Sequence, residues 1–345
     1  MKASVTSRDV AREAGVSQPT VSRALSGDLR ISEQTRERVT EAARRLGYFP
    51  NVAARTLITN RTFTVGVVVG DVSNMFFAEQ LNVLYDELQR NGYRTVLFQE
   101  GADHKEPGGD VLPLLIGNAL DGAIFTTGRL DSATPKLLAS EGIPVVLLNR
   151  YIEGIAADCV TADNFGGGVQ AAHHLANLGH ERIGLILGPE NTSTSRDREK
   201  GFTSGLKESG LRIHEELRQV GLYSYESGYE LCLKLLFREE PPTAIFCGND
   251  VIALGALNAA AGAGVEVPGE LSVIGFDDLS VSGWEITGLS TIHNSIGRLA
   301  ETAAKMLVER IERTHEGPPR SEVFPTSLAE RRTTAPPTPR PAPGS

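Results

Sequence analysis

Cysteine is scarce in this 345-residue sequence, and long apolar runs are missing altogether. The three cysteines, Cys159, Cys232 and Cys247, include no pair at CxxC spacing, which argues against a disulfide framework and against a thiolate metal site. No apolar run reaches the roughly 18 residues that a membrane helix needs, and the N-terminus lacks the apolar stretch of a secretory signal. We therefore expect a cytoplasmic protein without a membrane partner, whose reduced cysteines act as small apolar residues.

Sequence motifs of enzyme catalysis are missing as well. The sequence has no GxSxG, Walker A or HExxH motif, and no GxGxxG motif directly after a strand-like run. Residues 164–168, NFGGG, are rich in glycine but lack the spacing and the lysine of a phosphate-binding loop. The sequence therefore predicts a protein that is not an enzyme and that needs no cofactor and no metal ion.

Charge is unevenly distributed along the chain. The whole sequence has a net charge of −9, but its first 60 residues hold ten Lys and Arg against six Asp and Glu, a net charge of +4 that leaves −13 for the remainder. A basic head on an acidic body indicates that the head contacts a polyanion; an ordinary solvated surface is the alternative. The length predicts two or three domains.

The N-terminal part of the sequence has the capping signals of three short helices. Thr6 followed by Asp9 resembles a capping box, and Gly15 supplies a C-terminal stop. Ser17 can cap a second helix and Ser32 a third. The Gly-Val-Ser turn between the first two helices matches the spacing of a helix-turn-helix, with a generic three-helix bundle as the alternative.

In a helix-turn-helix, the second helix enters the major groove of DNA by its N-terminal end. Gln18 can hydrogen-bond adenine in bidentate fashion, and Arg23 can do the same with guanine. Thr20 and Ser22 suit phosphate oxygens, and Pro19 offers an apolar surface to a thymine methyl group. These residue types predict that the second helix reads DNA.

Residues 51–60 are predicted to form a hinge helix or linker. Asn51 can cap a short helix whose apolar face includes Ala54 and Leu57 but has no obvious core to bury it. Because so short a helix is marginal alone in water, we expect it to form only against DNA or against a second copy of the chain. Leu57 would then wedge between base steps in the minor groove; an ordinary linker is the alternative. The predicted DNA-binding residues are Thr6, Ser17, Gln18, Pro19, Thr20, Ser22, Arg23, Asn51, Ala54 and Leu57.

From residue 63 onward, apolar strand-like runs alternate with helical stripes. The runs of the first half are FTVGVVV, TVLF, GAIFTT and PVVLLN. Those of the second half are RIGLIL, TAIFC and LSVIGF, with helices predicted at 164–178, 197–210, 225–236 and 250–263. Such β-α-β order is typical of doubly wound parallel sheets. The predicted fold class is an N-terminal all-α helix-turn-helix domain plus an α/β core of two doubly wound parallel-sheet lobes, similar to periplasmic sugar-binding proteins.

Two later segments extend these lobes. A helix at 294–314 is expected to return to the first lobe, and the run EVFPTSL to cross back to the second. The predicted domains are residues 1–50 for the DNA-binding domain, 51–60 for the hinge, 61–161 plus 293–320 for the first lobe, 162–292 plus 321–333 for the second lobe, and 334–345 for a disordered Pro-rich tail.

Polar and aromatic side chains follow the predicted strands. In open α/β sheets, ligands bind at the carboxyl ends of the strands, so we expect these side chains to converge in one cleft. The predicted ligand-binding residues are Phe76, Asn149, Arg150, Asp163, Thr194, Arg196, Arg198, Tyr223, Asn249 and Asp277. Their carboxylates, amides and guanidinium groups suit a polyhydroxylated ligand, because each sugar hydroxyl both donates and accepts hydrogen bonds.

Structural roles compete with ligand binding at several of these positions. Asp163, Asn249 and Asp277 are also suitable helix caps or turn formers. Arg196 is also suited to a surface ion pair with a carboxylate. The three arginines 150, 196 and 198 favour an anionic group such as an aldonate, although arginine also binds neutral sugars.

The segments DVAREAGVSQPTVSRALSG (9–27) and SEQTRERVTEAARRLGYFPNVAARTL (32–57) resemble the LacI/GalR family of bacterial transcription regulators, and the resemblance extends from about residue 5 to 333. It implies a homodimer on a pseudo-palindromic operator in double-stranded DNA. By resemblance, the residues that contact bases are Gln18, Pro19 and Arg23, with Leu57 intercalating. By resemblance, the residues that contact the effector are Phe76, Arg198, Tyr223, Asn249 and Asp277.

These observations predict a DNA-binding transcriptional regulator of the bacterial nucleoid that acts as a repressor. A sugar or sugar acid bound between the lobes would switch its affinity for the operator. Whether the ligand acts as inducer or corepressor stays open. The alternatives are a regulator that responds to a purine corepressor and, less favoured because of the basic head, a stand-alone sugar-binding protein.

Overall fold

The computed structural model describes residues 5–25, 28, 30–48, 61–100, 115, 117 and 120–338. The chain divides into two compact units, Met1–Thr62 and Phe63–Ser345. The hinge predicted at 51–60 lies outside the described residues, as do the last seven residues of the predicted tail.

The first unit contains three helices, α1 (Ser7–Ala14), α2 (Gln18–Leu25) and α3 (Glu33–Leu46). The capping predictions are confirmed. The Asp9 carboxylate accepts hydrogen bonds from the backbone nitrogen and the hydroxyl of Thr6, at 3.0 and 2.7 Å. The Ser17 and Ser32 hydroxyls accept from backbone nitrogens of α2 and α3. Gly15 ends α1 with a positive φ of 65°, a conformation that favours glycine.

A small apolar core holds these helices together. Val10 of α1, Val21 of α2, and Val39 and Ala42 of α3 are all fully buried. Burial of one valine side chain stabilises the folded unit by about 1.5–3 kcal/mol. These few side chains are therefore enough to hold α1 and α2 in one mutual orientation. That orientation is what presents the N-terminal end of α2 on the surface of the unit.

The second unit consists of two six-stranded α/β lobes. The elements of the first lobe are β1 (Thr64–Val69), α4 (Met75–Arg90), β2 (Arg94–Gln99), β3 (Gly122–Phe125), α5 (Thr134–Ser140), β4 (Val145–Leu148) and β5 (Asp158–Ala162). Those of the second lobe are α6 (Asn164–Asn177), β6 (Ile183–Leu187), α7 (Ser193–Glu208), β7 (Arg218–Val220), α8 (Tyr225–Leu236), β8 (Ala244–Cys247), α9 (Asp250–Gly262), β9 (Ser272–Asp277) and β10 (Ser290–His293). Three later elements are α10 (Ile296–Glu312), β11 (Ser321–Phe324) and β12 (Ser327–Ala329).

The strand orders are β11-β5-β4-β3-β1-β2 in the first sheet and β12-β10-β9-β8-β6-β7 in the second. All pairings are parallel except that of β12 with β10. Both sheets therefore have the doubly wound order predicted from the alternation of strands and helices, and their strands end at a common edge. The sequence did not reveal β5 or β7, because β5 begins with a charged residue and β7 has only three half-buried residues.

The chain crosses between the lobes three times. It leaves the first lobe after β5, returns with α10, which packs on α4 and on β3 to β5, and crosses again between β11 and β12. The return of α10 was predicted correctly. The boundary predicted at 321 is wrong, because β11 pairs with β5 of the first lobe and the crossing follows at residues 325–326.

Buried apolar side chains form the cores of both lobes. Val65 and Val67 of β1 pack against Leu299 and Leu307 of α10 in the first lobe. The three cysteines are free and buried, and burial raises the pKa of Cys232 to about 12, as befits a small apolar residue. Within the described part of the chain, no helix is both long and apolar enough to span a bilayer.

The first residues of the predicted disordered tail contact the second lobe. Thr333 and Thr334 are buried, and the Val273 backbone nitrogen donates to the Thr333 carbonyl oxygen at 2.7 Å. The Ala335 carbonyl accepts from Ser272 Oγ at 3.0 Å and lies 2.9 Å from His180 Nε2. The prediction is therefore wrong for residues 334 and 335, because composition alone does not reveal these backbone partners.

Candidate functional sites

A cavity of about 220 Å³ lies between the two lobes, at the carboxyl ends of their strands. Eight of the ten predicted ligand-binding residues line it: Phe76, Asn149, Arg150, Thr194, Arg198, Tyr223, Asn249 and Asp277. The placement of ligands at the carboxyl ends of strands, called the strand-end rule below, thus brings side chains from six separate segments into one site.

Aromatic rings face the cavity from both lobes. Asn74 caps α4, since its Oδ1 accepts from the Phe76 backbone nitrogen at 3.0 Å, and this sets the start of the helix that carries Phe76. The ring of Phe77 meets that of Phe76 edge to face, with centroids 5.6 Å apart. On the second lobe, the Tyr223 hydroxyl lies 2.7 Å from Ser195 Oγ and 3.1 Å from Thr194 Oγ1, which fixes the tyrosine ring.

Arg198 and Asp277 form a buried ion pair in the second lobe. Arg198 Nη2 donates to Asp277 Oδ1 at 3.0 Å, and its Nε donates to Asn164 Oδ1 at 2.8 Å. The guanidinium group also donates to the Gly248 carbonyl oxygen and lies 3.6 Å from the centroid of the Phe276 ring. With all these partners, Arg198 is held rigidly, so the pair can present a fixed carboxylate and cation to a ligand.

Burial dominates the electrostatics around Asp277. It raises the pKa of the Asp277 carboxyl, against the opposing effect of Arg198. Behind it, Asp250 is fully buried, and burial followed by the charge of Asp277 raises its pKa to about 7. Asp250 accepts hydrogen bonds from the Leu279 nitrogen at 2.9 Å and from Ser282 Oγ at 2.6 Å, which tie α9 to the loop after β9.

The first lobe contributes Asn149 and Arg150. Asn149 has a positive φ of 71° and exchanges two hydrogen bonds with Gln80 of α4, at 2.9 and 3.1 Å. The guanidinium group of Arg150 lies over the Tyr223 ring, 5.4 Å from its centroid. Burial lowers the pKa of Arg150.

Two predicted ligand-binding residues lie outside the cavity. Asp163 caps α6, with its Oδ1 accepting from the Gly166 nitrogen at 2.8 Å. Arg196 donates to Glu153 at 2.8 Å and to the Tyr151 hydroxyl at 2.6 Å, so it bridges the lobes through a polar network rather than facing the cavity. In both cases the structural alternative considered above accounts for the geometry.

Several cavity residues were missing from the predicted set, among them Thr126, Asn164 and Asn294. Thr126 follows β3, Asn164 follows β5, and Asn294 follows β10, so each also lies at the carboxyl end of a strand. The same rule identifies them once it is applied to every polar side chain that follows a strand. Asn294 Oδ1 is buried and has no hydrogen-bond partner among the described residues, which leaves an acceptor at the cavity wall.

The first unit presents polar side chains at the N-terminal end of α2. Gln18, Pro19, Ser22 and Arg23 are exposed. Gln18 Nε2 donates to Ser7 Oγ at 3.0 Å, which orients the amide. The other predicted DNA-contacting residues of this unit flank the same turn: Thr6, Ser17 and Thr20, the last two joined by a 2.8 Å hydrogen bond. The hinge residues Asn51, Ala54 and Leu57 lie outside the described residues.

Comparison with known proteins places both sites in context. A family model described as "Bacterial regulatory proteins, lacI family" matches residues 6–51, and one described as "Periplasmic binding protein-like domain" matches residues 172–334. The HTH-type transcriptional repressor PurR of Haemophilus influenzae (strain PittEE) is 36% identical over 313 residues, which are 90% of this chain and 93% of that protein. The chain belongs to the LacI family of bacterial regulatory proteins. PurR of Erwinia tasmaniensis is 33% identical over 332 residues, 96% of this chain and 97% of that protein.

Solved structures agree with this membership. The lac repressor dimer bound to operator and the anti-inducer ONPF has a TM-score of 0.82 at 26% identity, covering 96% of this chain and 100% of that one. A complex of the transcriptional regulator CelR with cellobiose has a TM-score of 0.73 at 30% identity, covering 95% and 99%. This LacI-family protein is therefore a transcriptional regulator with a DNA-binding helix-turn-helix, and its predicted fold class is confirmed.

Proposed function

We propose that this LacI-family protein is a repressor whose operator affinity is switched by a polyhydroxylated small molecule, a sugar or sugar acid, bound in the cavity between the lobes. The observation that carries the proposal is the composition of that cavity. It combines aromatic rings from both lobes, Phe76 and Phe77 from the first and Tyr223 from the second, with the fixed carboxylate of Asp277 and the guanidinium groups of Arg150 and Arg198. The site binds its ligand and performs no reaction on it.

The size of the cavity favours a small ligand. Sites for drug-sized molecules are roughly 300–1,000 Å³, whereas this one measures about 220 Å³. A ligand the size of a monosaccharide is consistent with that volume. Among the similar structures, a regulator from Enterococcus faecium carries bound ribose (TM-score 0.70, 29% identity, covering 79% of this chain and 99% of that one), while CelR carries cellobiose.

A purine is the second candidate, since relatives at 36% identity are repressors named PurR. A planar base binds best between two free aromatic faces. Here Arg150 lies over the ring of Tyr223, so one face of that ring is already covered. The amides and carboxylate around Arg198 are better matched to several hydroxyl groups than to one stacked base.

Operator recognition is assigned to α2. In this proposal Gln18, Pro19 and Arg23 read base edges in the major groove, while Thr20 and Ser22 contact phosphates, with Thr6 and Ser17 at the flanks. Asn51, Ala54 and Leu57 act in the hinge, and Leu57 wedges into the minor groove. A pseudo-palindromic operator follows if two copies bind together.

The proposed assembly is a homodimer, as in the lac repressor complex. Large apolar side chains are exposed on the second unit, among them Tyr85 and Leu97 on the first lobe and Trp284 and Ile286 on the second. In this proposal a second copy of the chain covers those that lie at the dimer interface. Leu97 lies on β2, the edge strand of its sheet, and Ile286 is 92% exposed.

Switching requires that the ligand bind the open and closed arrangements of the lobes with different affinity. Among the described residues, the contacts that bridge the lobes include three sets of hydrogen bonds. Asn74 Nδ2 donates to the Tyr223 carbonyl oxygen at 3.0 Å, and the Ser280 nitrogen donates to Glu79 at 2.9 Å. The third is the network of Tyr151 with Arg196 and Asp197. A ligand held by both lobes would favour the arrangement in which these contacts form.

A thermal-shift series on the full chain tests the ligand class. The probes are D-ribose, D-glucose, cellobiose, D-gluconate and hypoxanthine. A probe at a hundred times its Kd adds about 2.7 kcal/mol to the stability, which raises Tm by roughly 5–10 °C in lobes of this size. The shift should vanish in Asp277→Asn and persist in Arg218→Gln, whose arginine pairs with Glu199 on the same lobe but outside the cavity.

Each outcome bears on the proposal. A shift with a carbohydrate supports it, and the same probe must then change binding to an operator selected from random DNA, measured by fluorescence anisotropy. A shift with hypoxanthine alone would replace the sugar by a purine. No shift with any probe in a folded protein would contradict a carbohydrate ligand.

A further inference from the structure

The arginines around the cavity differ in how their charges are balanced. Arg198 pairs with Asp277 at 3.0 Å, and Arg196, outside the cavity, pairs with Glu153 at 2.8 Å. Arg150 makes only a long hydrogen bond of 3.4 Å to the Gly128 carbonyl oxygen. In the described part of the chain, no carboxylate lies at ion-pair distance from it. Arg150 is thus a cavity cation without a counter-ion among these residues.

A cation in this position is held at a cost. Taking a guanidinium group out of water is unfavourable unless a negative charge and hydrogen bonds compensate. Burial is the largest effect on the pKa of Arg150 and lowers it, and the nearby charge of Arg198 acts in the same direction. The contact with the Tyr223 ring, 5.4 Å from its centroid, offsets part of this cost through the cation–π attraction.

Two carboxylates, those of Glu100 and Asp277, attract Arg150 from beyond ion-pair distance and raise its pKa, against the larger effect of burial. Asp277 is already paired with Arg198 at 3.0 Å, so neither carboxylate pairs directly with Arg150. Asp71 also lines the cavity, but it is exposed, and its Oδ1 accepts from the Ser73 nitrogen at 2.9 Å. Its charge is therefore solvated and held in its own turn.

We infer that the ligand carries an anionic group, a carboxylate or a phosphate, that pairs with Arg150. The inference rests on the proposed function, because it assigns a charge to the polyhydroxylated ligand of the same site. A guanidinium group matches both kinds of oxyanion through two parallel N–H···O hydrogen bonds, which is why arginine is the usual partner of such groups. The Gly128 carbonyl, at 3.4 Å, competes only weakly for the guanidinium hydrogens.

A second observation indicates how the ligand is oriented in the cavity. Arg150 belongs to the first lobe, whereas Asn294 follows β10 of the second and offers a buried acceptor without a partner among the described residues. An acceptor in that position is matched by a hydroxyl donor and not by an anion. The ligand therefore binds with its anionic end toward the first lobe and a hydroxyl toward Asn294.

Isothermal titration calorimetry on the full chain tests this charge with matched pairs of probes. The pairs are D-gluconate with D-glucose, D-glucose 6-phosphate with D-glucose, and D-ribose 5-phosphate with D-ribose. At least one anion should bind about tenfold more tightly than its neutral partner, since a hydrogen bond to a charged group contributes roughly 1.5–3 kcal/mol. If gluconate shows the tenfold higher affinity, the anionic group is a carboxylate. If a sugar phosphate shows it, the anionic group is a phosphate.

Variants separate the role of Arg150 from general effects on the fold. Arg150→Gln should lower the affinity for the anion about tenfold and leave the neutral sugar within about twofold, and Arg150→Lys should restore part of the preference. Arg298→Gln is the matched control. Arg298 likewise has no carboxylate at ion-pair distance among the described residues, but it is exposed and rests on Phe324 outside the cavity.

The outcomes distinguish this inference from the function on which it rests. Neutral sugars that bind as tightly as every anion would overturn the inference and leave the carbohydrate ligand intact. A preference for the anion that survives in Arg150→Gln would also overturn it. If none of the probes, neutral or anionic, binds to the folded chain, both the inference and the proposed ligand class fail.

Discussion

Asn74 of the first lobe donates a hydrogen bond to the carbonyl oxygen of Tyr223 on the second lobe, over 3.0 Å. The same side chain caps α4 through its Oδ1. One residue thus fixes the start of the helix that carries Phe76 and joins the two walls of the cavity.

These two roles of Asn74 can be separated by Asn74→Ser. A serine hydroxyl still caps the helix but is too short to reach Tyr223. Because one hydrogen bond contributes about 0.5–1.5 kcal/mol, we expect ligand affinity to fall about two- to tenfold with little change in Tm of the free protein. Calorimetry with the tightest-binding carbohydrate measures this. An unchanged affinity would mean that closure does not depend on the contact.

The pair formed by Arg198 and Asp277 should contribute to binding more than to stability. Removing one partner, as in Asp277→Leu, leaves a buried cation and should cost about 3–5 kcal/mol. The double variant Arg198→Met with Asp277→Leu should recover most of that stability, because an apolar pair avoids the desolvation of charges. Neither variant should bind ligand. Urea denaturation and calorimetry report the two quantities, and a double variant as unstable as the single one would contradict this interpretation.

Acid should destabilise the docked C-terminal segment. Burial lowers the pKa of both His174 and His180 below the usual 6.5, so they stay neutral in the folded chain while the unfolded chain takes up protons. This stability is present above pH 6.5 and is lost as the pH falls further. Both side chains contact residues 334–335, His174 through Thr334 Oγ1 at 2.9 Å.

Urea midpoints between pH 7.5 and 5.5 test this expectation. On going from pH 7.5 to 5.5, the midpoint of the unmodified chain should shift toward lower urea concentration relative to that of the chain in which His174 and His180 are both replaced by glutamine. His173→Gln, at a half-exposed position, is the control and should keep the full dependence on pH. Asp250 acts in the opposite direction, since its raised pKa of about 7 favours the folded state as the pH falls. If the urea midpoint of the double variant changes with pH as steeply as that of the unmodified chain, the two histidines do not cause the pH dependence.

DNA recognition gives a prediction independent of the ligand. Arg23 is exposed on α2, and Arg23→Ala should cost about 1–3 kcal/mol on an operator selected from random sequences. The loss on unselected DNA should be small, because phosphate contacts dominate there. Anisotropy at fixed salt measures both. Arg12→Ala, an exposed arginine of α1, is the control, and equal losses on both DNAs for Arg23→Ala would refute base reading.

The contrast between Arg196 and Arg198 explains what the sequence could and could not predict. Two residues along a helix correspond to a rotation of about 200°, so these side chains point to nearly opposite sides of α7. The sequence prediction began this helix at 197 and therefore treated Arg196 as part of a loop. In the structure α7 begins at Ser193, because the Thr192 side chain caps it. Had Thr192 been recognised as the cap of this helix, Arg196 would not have been included in the predicted site.

The strand-end rule succeeded elsewhere because it depends on topology and not on exact boundaries. Asn149 and Asp277 line the cavity although their positive φ values of 71° and 115° could not be inferred from residue type. Asp163 shows the limit of the rule. It also follows a strand, but its side chain accepts from Gly166 within its own turn, and sequence does not decide between such a local acceptor and a ligand.

The late position of β11 has a consequence for synthesis of the chain on the ribosome. Strand β5 ends at Ala162, whereas its neighbour in the sheet, β11, begins only at Ser321. At a translation rate of about 5–20 residues per second, β11 is synthesised roughly 10–30 seconds after β5. During that time the buried carboxylate of Asp158 also lacks Arg310 and Arg320, which later bind it. The nascent first lobe therefore exposes an unpaired strand edge and an uncompensated charge until residues 310–324 have been made, the interval in which a chaperone would have most to protect.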